Sequence, residues 1–317
     1  MSVYTELNDA DVAAILSGYG LGSLQSFEGI AAGIENSNFF VNTDQGRYVL
    51  TIFERMDADE LPYFMHLMHH LSAHGFSCPD VMRRNNGEYL FDVTGKKGAI
   101  VSRLSGRTLD ALSSKQLQQA GRALAALHLA GASFDERREN STGFAWLKEL
   151  AGKMEGDVAR VYGADAAHLL HDEISWQAGQ DDSALPRGVI HGDLFCDNIL
   201  FDGDALSGVI DFYYAHDAAY AMDVAISLNA LAVRVGMPDA GQESDAERMQ
   251  CFLAGYQALR PLDDAEHAYL PALLRRAALR FWSSRLFDAL YPRGGAMTQT
   301  KDPEEYRLKL LFHRSGN

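Results

Sequence analysis

The first hundred residues alternate short apolar runs with tight polar turns. Apolar or β-branched residues fill runs at 24–31, 34–42, 47–53, 88–92 and 98–103. Between the third and fourth runs, residues 57–74 repeat apolar side chains at helical spacing. Short β-rich runs joined by glycine-containing turns are typical of antiparallel hairpins. The pattern therefore predicts the order β-β-β-α-β-β, a small antiparallel sheet with one long helix.

Beyond Gly106 the pattern changes to long helical periods. Apolar side chains recur on one helical face over 113–131. Further helices are predicted over 163–178, 219–235, 243–258, 266–289 and 303–313, with a short β-rich island over 188–211. We therefore predict an α+β, bilobed fold: a β-rich N-terminal lobe that binds nucleotide over residues 1–103, and a larger, mainly helical C-terminal lobe over residues 104–317.

The β-rich island concentrates polar residues that can carry chemistry. An apolar run ends in His191-Gly192-Asp193, and Asn198 lies five residues after Asp193. A second run, a turn and a third run then end at Asp211. A single Asp or Asn at such a place is more often a turn residue than a ligand. The combined pattern, H-x-D-x-x-x-x-N followed by a hairpin that ends in Asp-Phe, is typical of the catalytic loop of kinases.

This pattern supplies the groups that phosphoryl transfer from ATP requires. The barrier to this reaction is lowered mainly by positioning the reactants and neutralising charge. We assign Asp193 as the base that orients the acceptor hydroxyl and takes its proton. Because Mg²⁺ prefers carboxylate, amide and water oxygens, we assign Asn198 and Asp211 as ligands of the Mg²⁺ that accompanies ATP. His191 is expected to brace the loop through hydrogen bonds to the backbone.

Composition and charge narrow the range of partners. The formal net charge of −15 disfavours nucleic acids and anionic membrane surfaces as partners. Cys78, Cys196 and Cys251 lack the paired spacing of zinc sites and suit a reducing compartment. No basic-then-apolar signal is present, and no apolar run approaches the ~20 residues that span a bilayer. We therefore expect a cytoplasmic protein with a small-molecule substrate.

The His-Gly-Asp form of the loop, with glycine where protein kinases have arginine, resembles the aminoglycoside-phosphotransferase and choline-kinase branch of the protein-kinase-like fold. Within that branch, residues 33–41, 48–54, 191–201 and 279–286 are similar to strings of the bacterial homoserine kinases. The resemblance extends over nearly the whole chain. It implies a protein-kinase-like fold, ATP and Mg²⁺ as cofactors, and phosphorylation of L-homoserine to O-phospho-L-homoserine in threonine biosynthesis.

The strand predicted over 47–53 departs from the usual kinase pattern. Thr51 stands where most kinases have a phosphate-binding lysine, and residues 1–95 contain no lysine. The resemblance implies that this substitution is typical of the homoserine-kinase relatives. A threonine hydroxyl can donate to a phosphate oxygen, but it brings no charge.

The loop that begins at Gly33 is expected to bring backbone amides close to the phosphates of ATP, although a plain hairpin turn is the alternative. The residues around the predicted junction of the lobes are expected to meet the edge of adenine, although a simple strand end is the alternative. The nucleotide-binding residues that we predict are Asn36, Ser37, Asn38, Thr51, Ser102 and Leu104.

A homoserine pocket requires a partner for the substrate carboxylate, for which an arginine is best suited. The Arg-Phe-Trp string resembles the relatives and implies that Arg280 and Trp282 bind the substrate. Tyr213 follows Asp211 closely enough to line the same pocket. An exposed basic helix face is the alternative for Arg280. In the kinase relatives a helical Asp at the position of Asp223 steadies the catalytic loop, although a helix cap is the alternative.

Two other functions remain open from the sequence. One is a different small-molecule kinase of this branch, with an aminoglycoside, choline or methylthioribose as the acceptor. The other is a non-catalytic, kinase-like binding module. The missing lysine favours the binding module, whereas the intact Asp193, Asn198 and Asp211 disfavour it.

Overall fold

The computed structural model describes residues 4–30, 36–235, 243–292 and 301–316. The chain forms two compact units. The first comprises Met1–Arg107, Leu200–Gly203 and Ser207–Tyr213, and the second comprises Thr108–Ile199, Asp204–Leu206 and Tyr214–Asn317. Most of the segment between residues 200 and 213 therefore belongs with the first unit, although the chain on either side of it belongs with the second.

The first unit is built on an antiparallel sheet. Its strands are β1 (Leu24–Gly29), β2 (Asn36–Thr43), β3 (Arg47–Phe53), β4 (Phe91–Val93) and β5 (Lys96–Ser102), and its helices are α1 (Asp9–Ser17) and α2 (Leu61–Ala73). The strands lie in the order β1-β2-β3-β5-β4. The predicted order β-β-β-α-β-β is thus confirmed, with α1 preceding it.

One face of this sheet forms a core with α1. Every second side chain of β2 is buried, as a strand with one core-facing side requires. Phe39 and Val41 of β2 cluster with Leu50 of β3 and with Val12 and Leu16 of α1. The strand pairing fixes which polar residues are neighbours on the sheet, and it sets Asn38 opposite Thr51.

The second unit is mainly helical, as predicted. Its helices are α3 (Ser114–Gly131), α4 (Phe144–Tyr162), α5 (Ala164–Gln177), α6 (Tyr220–Ser227), α7 (Asp245–Gln257), α8 (Asp264–Leu290) and α9 (Pro303–Arg314). The strand β6 (Arg187–Ile190) pairs antiparallel with β9 (His216–Ala219). Between them, β7 (Ile199–Asp202) and β8 (Ala205–Val209) form a hairpin. The described residues contain no helix of the length and apolarity that a bilayer crossing demands.

The structure corrects the sequence prediction at two helices. No helix was predicted where α4 lies, although Leu147, Leu150, Met154 and Val158 are buried at helical spacing. The helix predicted over 219–235 was too long, because α6 ends at Ser227. It is followed by a π-helical turn, Leu228–Ala232, whose last carbonyl groups accept hydrogen bonds from the buried side chain of Arg248. That side chain replaces the backbone donors that a longer helix would have supplied.

Helices α3 and α7 approach each other through two glycines. A β-carbon built on Gly121 of α3 would overlap the carbonyl oxygen of Phe252, and one built on Gly255 of α7 would overlap that of Gln118. Any larger residue at either position must force the two backbones apart, because the obstructing atoms belong to the main chain.

We expect Gly255→Ala to lower the free energy of unfolding by ~2 kcal/mol, since its methyl group overpacks this helix contact. Urea denaturation measures the change. Gly152→Ala in α4 is the matched control, because a β-carbon there meets no atom within 4 Å. That variant is expected to gain ~0.5–1 kcal/mol from helix propensity. Equal effects of the two substitutions would contradict the close contact.

Candidate active site

The predicted catalytic loop, residues 191–198, follows strand β6 in the second unit. Gly192 has φ +75°, the left-handed region that favours glycine. A β-carbon there would lie 2.9 Å from the carbonyl oxygen of Tyr214 and 3.1 Å from Cε1 of His216. Both the backbone conformation and the available space therefore require glycine between His191 and Asp193.

The fully buried carboxylate of Asp223, in the first turn of α6, holds the beginning of this loop. Its Oδ2 accepts a hydrogen bond from the backbone N–H of His191 (2.7 Å), and its Oδ1 accepts one from Gly192 (2.9 Å). Nε2 of His128 lies 3.0 Å from Oδ2. Burial would raise the pKa of Asp223, but the hydrogen bond from His128 and the bonds from the loop outweigh it and lower the pKa. The group is an ionised acceptor for the loop backbone.

Asp193 and Asn198 are brought together at the centre of the loop. The side-chain Nδ2 of Asn198 donates to the carbonyl oxygen of Asp193 at 2.8 Å and lies 3.4 Å from its carboxylate Oδ2. Asn198 ends a short 3-10 turn, Cys196–Asn198, that directs its side chain back to Asp193. The backbone N–H of Asp193 donates to Nδ1 of His191 at 3.3 Å. The half-buried Asp193 carboxylate is thus held by its own loop.

Arg280 of α8 joins this cluster. Its Nη1 donates to the carbonyl oxygen of Gly192 at 2.8 Å, and its guanidinium lies 4.6 Å from the centre of the Phe281 ring. The side chain is 5% exposed, and burial lowers its pKa although the charge of Asp193 opposes this change. The structure therefore places a buried cation beside the loop that carries Asp193.

The other two residues predicted to bind substrate each pack against apolar or aromatic side chains of their own unit. Trp282 is 1% exposed and belongs to the helical core of the second unit. Tyr213 belongs to the first unit, where its ring packs edge-on against Phe53 and Phe64. The contact of these two aromatic side chains with a substrate stays a prediction.

Thr51 in β3 is buried and bonded within the sheet. Its hydroxyl donates to Oδ1 of Asn38 at 2.8 Å. The position that carries lysine in most kinases thus takes part in a neutral hydrogen-bonded group.

The remaining residues predicted to bind nucleotide also lie in the first unit. Asn36 begins β2, and residues 33–35 of the predicted phosphate loop lie outside the described residues. The buried Ser37 hydroxyl donates to Glu54 at 2.5 Å and accepts the backbone N–H groups of Tyr4 and Thr5. Ser102 accepts the backbone N–H of Asp80 through its hydroxyl, and the side chain of Leu104 covers Gly208.

The first unit does carry a lysine, directly after residues 1–95, which contain none. Lys96 begins β5 and forms an ion pair with Glu54. Its amine also donates to the hydroxyl of Thr5 at 2.8 Å. Burial would raise the pKa of Glu54, but the hydrogen bond from Lys96 outweighs it and lowers the pKa. Lys96 therefore has an acidic partner just beyond the end of β3.

Asp211 lies after β8 in an unusual backbone conformation. Its φ is +67°, and Thr94 is the one further non-glycine residue with positive φ in the described part of the chain. The side chain is exposed. Backbone strain at a non-glycine residue is typical of functional positions. The described residues contain no group of three or more His, Cys, Asp and Glu residues poised for a metal.

The sequence left one part of this site unnoticed. His128 lies on the apolar face of α3, where a buried histidine interrupts a series of Leu and Ala residues. That interruption was the available signal. Its partner Asp223 lies 95 residues further along the chain, so no local spacing joined the two.

This chain is similar in sequence to a known family and to individual proteins over most of its length. The model of the phosphotransferase enzyme family matches residues 26–281. A homoserine kinase of Methylobacillus flagellatus is 44% identical over 313 residues, covering 99% of this chain and 95% of that protein. A homoserine kinase of Methylobacterium radiotolerans is 45% identical over 321 residues, covering 100% of this chain and 97% of that protein.

Among solved structures, an amicoumacin kinase in complex with AMP-PNP, Ca²⁺ and Ami is similar with a TM-score of 0.70. The two sequences are 16% identical, and the match covers 98% of this chain and 92% of that one. Similarity at this identity concerns the fold alone. It confirms the α+β, protein-kinase-like fold predicted from the sequence.

Proposed function

This chain belongs to the phosphotransferase enzyme family and is related over nearly its whole length to homoserine kinases, and from this premise we propose that it transfers the γ-phosphoryl group of ATP to the side-chain hydroxyl of L-homoserine. The resemblance drawn from the sequence is confirmed at the level of the family. The observation that carries the proposal is 44% identity over 99% of the chain. The product is O-phospho-L-homoserine, which serves threonine biosynthesis, and the proposed compartment is the cytoplasm.

Asp193 is proposed as the base. A carboxylate beside the acceptor hydroxyl aligns its oxygen for attack on the γ-phosphorus. The carboxylate accepts the proton as the new P–O bond forms and the bond to ADP breaks. The support for this role is the fixed position of Asp193 in its loop, with Asn198 on the carbonyl oxygen of the same residue and Arg280 on the adjoining peptide.

Mg²⁺ is proposed as the metal, with Asn198 and Asp211 as its protein ligands. An amide oxygen and a carboxylate are the hard donors that this ion prefers, and Mg²⁺ sites on nucleotides use few protein groups. Since Nδ2 of Asn198 donates to Asp193, the Oδ1 atom is the acceptor that remains for a metal. The exposed carboxylate of Asp211 fits the same chemistry. When bound, the ion neutralises charge on the phosphates.

The nucleotide is proposed to contact the first unit at Asn36, Ser37, Asn38, Thr51, Ser102 and Leu104. The hydroxyls of Ser37 and Thr51 both donate within the sheet. We therefore propose that Thr51 acts through Asn38: its hydroxyl fixes Oδ1, which leaves Nδ2 of Asn38 as the donor for a phosphate oxygen.

Thr51→Val is expected to raise KM for ATP ~3–10-fold with little change in kcat, because one neutral hydrogen bond that orients Asn38 is lost. Initial rates at varied ATP concentration measure this. Thr43→Val is the matched control, since the Thr43 hydroxyl donates to the carbonyl oxygen of Leu21 in the same unit. An equal rise in KM for both variants would count against a role of Thr51 in nucleotide binding.

The acceptor is proposed to bind near Arg280. One nitrogen of this guanidinium holds Gly192, and further N–H groups remain for the carboxylate of an amino acid. Tyr213 and Trp282 are kept as proposed substrate contacts. Of the three, Arg280 has the strongest support, because it contacts the catalytic loop directly, whereas Trp282 is buried in the core.

A panel of acceptors in a coupled ADP-release assay tests the function. We expect Mg²⁺-dependent turnover with L-homoserine and none above background with choline, kanamycin or methylthioribose. Turnover with one of those alcohols alone would assign a different small-molecule kinase. No turnover with any acceptor, together with binding of ATP, would assign a non-catalytic binding module.

A further inference from the structure

Buried polar side chains extend from the catalytic loop into the helical unit. Oδ2 of Asp223, which holds the loop backbone, also lies 3.0 Å from Nε2 of His128 in α3. Nδ1 of His128 lies 2.8 Å from the hydroxyl of Tyr256 in α7. His128 and Asp223 have fully buried side chains, and Tyr256 is 0% exposed. Polar groups that are buried at this depth are shielded from solvent, so they need hydrogen-bond partners within the protein.

Tyr256, at the end of this hydrogen-bonded series that is farthest from the loop, is also held in place. Nη1 of Arg260 donates to the hydroxyl oxygen of Tyr256 at 3.0 Å. The same nitrogen lies 2.9 Å from Oε1 of the buried Glu266, in the first turn of α8. Helices α3, α6, α7 and α8 therefore all contribute to one series of contacts that ends at the catalytic loop.

One arrangement of protons satisfies the contacts from Asp223 through His128 to Tyr256. The ionised carboxylate of Asp223 can only accept, so Nε2 of His128 carries a proton and donates it. Arg260 can only donate to the Tyr256 oxygen, so the hydroxyl proton of Tyr256 has Nδ1 of His128 as its acceptor, and the ring carries one proton. Burial lowers the pKa of His128, in agreement with this state, although the hydrogen bond to Asp223 opposes the change. The Tyr256 hydroxyl then donates to Nδ1, while its oxygen accepts from Arg260. Every donor thus points towards the loop.

This direction matters because Asp223 determines how the Gly192 peptide is oriented. Asp223 accepts the N–H of Gly192, while Arg280 donates to its carbonyl oxygen, so the residue is held at both ends. Rotation of the Asp223 carboxylate would release the N–H groups of His191 and Gly192 together. Nε2 of His128 is the side-chain donor that opposes such a rotation.

We propose that His128, oriented by Tyr256, is a positioning residue for phosphoryl transfer: it fixes the carboxylate of Asp223, which fixes the Gly192 peptide and thereby places Asp193. His128 touches no substrate in this proposal. The positioning role depends on the proposed function only in that its test measures the rate of phosphoryl transfer.

His128→Phe tests the proposal, because phenylalanine keeps the packing against Tyr220 (ring centres 4.6 Å apart) and removes both hydrogen bonds. We expect kcat to fall ~10–100-fold, the effect of misplacing the base, while KM for ATP and L-homoserine changes less than ~2-fold. His128→Gln offers an amide donor to Asp223 and is expected to recover most of the loss.

His313→Phe is the matched control. His313 is a partly buried histidine of this unit, and its Nε2 lies 3.0 Å from Oδ1 of the buried Asn229. We expect the control to lower Tm about as much as His128→Phe and to leave kcat unchanged. A His128→Phe enzyme with lowered Tm but kcat within ~2-fold of the wild type would overturn the proposal, since hydrogen bonds that only stabilise the fold do not affect kcat.

Tyr256→Phe supplies a second test, which also serves if His128→Phe does not fold. It removes one hydroxyl from the far end of the chain, and we expect kcat to fall ~3–10-fold because His128 is no longer held. The double variant is expected to have the kcat of His128→Phe alone. Tyr256 acts only through His128, so its hydroxyl has no further effect once the His128 hydrogen bonds are removed. Multiplied losses, or an unchanged kcat in Tyr256→Phe, would refute the role of Tyr256.

The outcome is separable from the proposed function. If the wild type rejects L-homoserine but phosphorylates another alcohol, the proposed function fails, and the same comparison of kcat is made with that acceptor. If no acceptor is used, Mg²⁺-dependent hydrolysis of ATP by the wild type and the variants gives the comparison. A wild type inactive in every one of these assays would overturn the positioning role together with the function.

Discussion

Replacement of Asp193 by asparagine is expected to reduce kcat for L-homoserine phosphorylation at least ~10³-fold, because the acceptor hydroxyl loses both its base and the charge that orients it. Asparagine has nearly the same shape, so the hydrogen bond from Asn198 to the carbonyl oxygen of residue 193 is retained. The ADP-release assay gives kcat, and titration calorimetry with ATP tests whether nucleotide binding is unchanged.

The control for this substitution lies on the same loop. Asp197 is exposed and its carboxylate lies 3.8 Å from Nζ of Lys301. Asp197→Asn removes one negative charge four residues from Asp193, and it is expected to leave kcat within ~2-fold of the wild type, since exposed ion pairs contribute little. If Asp193→Asn retained a tenth or more of the wild-type kcat, another group would have to be the base.

Asp211→Asn is expected to have the second largest effect. Loss of a carboxylate ligand weakens the metal site, and we expect kcat at fixed Mg²⁺ to fall at least ~10²-fold. Asparagine tolerates positive φ about as well as aspartate, so the backbone at φ +67° is not further strained. Rates measured over a range of Mg²⁺ concentrations are expected to reach half their maximum only at much higher Mg²⁺.

Asp202→Asn in the adjoining hairpin is the control for the change of charge. Asp202 is exposed at the end of β7, and its replacement is expected to leave the Mg²⁺ dependence unchanged. An unaltered Mg²⁺ dependence in Asp211→Asn would remove Asp211 from the list of proposed ligands, even if kcat were lower.

The meeting of the predicted base with one predicted metal ligand was predictable because it is local in sequence. Asp193 and Asn198 are five residues apart, and one 3-10 turn brings them together. The sheet was predictable for a similar reason, since its hairpins join neighbouring runs. Contacts across long separations gave no such signal, and the chain from Asp223 through His128 to Tyr256 joins residues 95 and 128 positions apart.

Trp282 illustrates a different difficulty. It was predicted together with Arg280 because the Arg-Phe-Trp string resembles the homoserine-kinase relatives. Residues two positions apart on an α-helix point roughly 200° apart around its axis. Arg280 can therefore bond to Gly192 while Trp282 packs into the helical core. The string itself does not tell in which direction each side chain points, and substrate binding by either residue stays a prediction.

Lys96 lies between the runs predicted at 88–92 and 98–103, so the sequence pattern did not assign it to a strand of the sheet. Residues 1–95 contain no lysine, which suggested a sheet without one. In the structure Ile52 pairs with Gly98 across β3 and β5, so the start of β5 lies beside the end of β3. Lys96 thereby meets Glu54, and its charge is neutralised there rather than offered at Thr51.

The glycine contact between α3 and α7 predicts where temperature-sensitive mutations arise. Tyr256 follows Gly255 directly, and His128 lies two turns beyond Gly121 on the same helix. A single methyl group between the backbones would alter the spacing of the two helices that carry this hydrogen bond, without touching ATP or the acceptor. Heat-sensitive alleles that cause a conditional growth requirement are therefore expected to arise at these glycines, far from the residues that chemistry alone would single out.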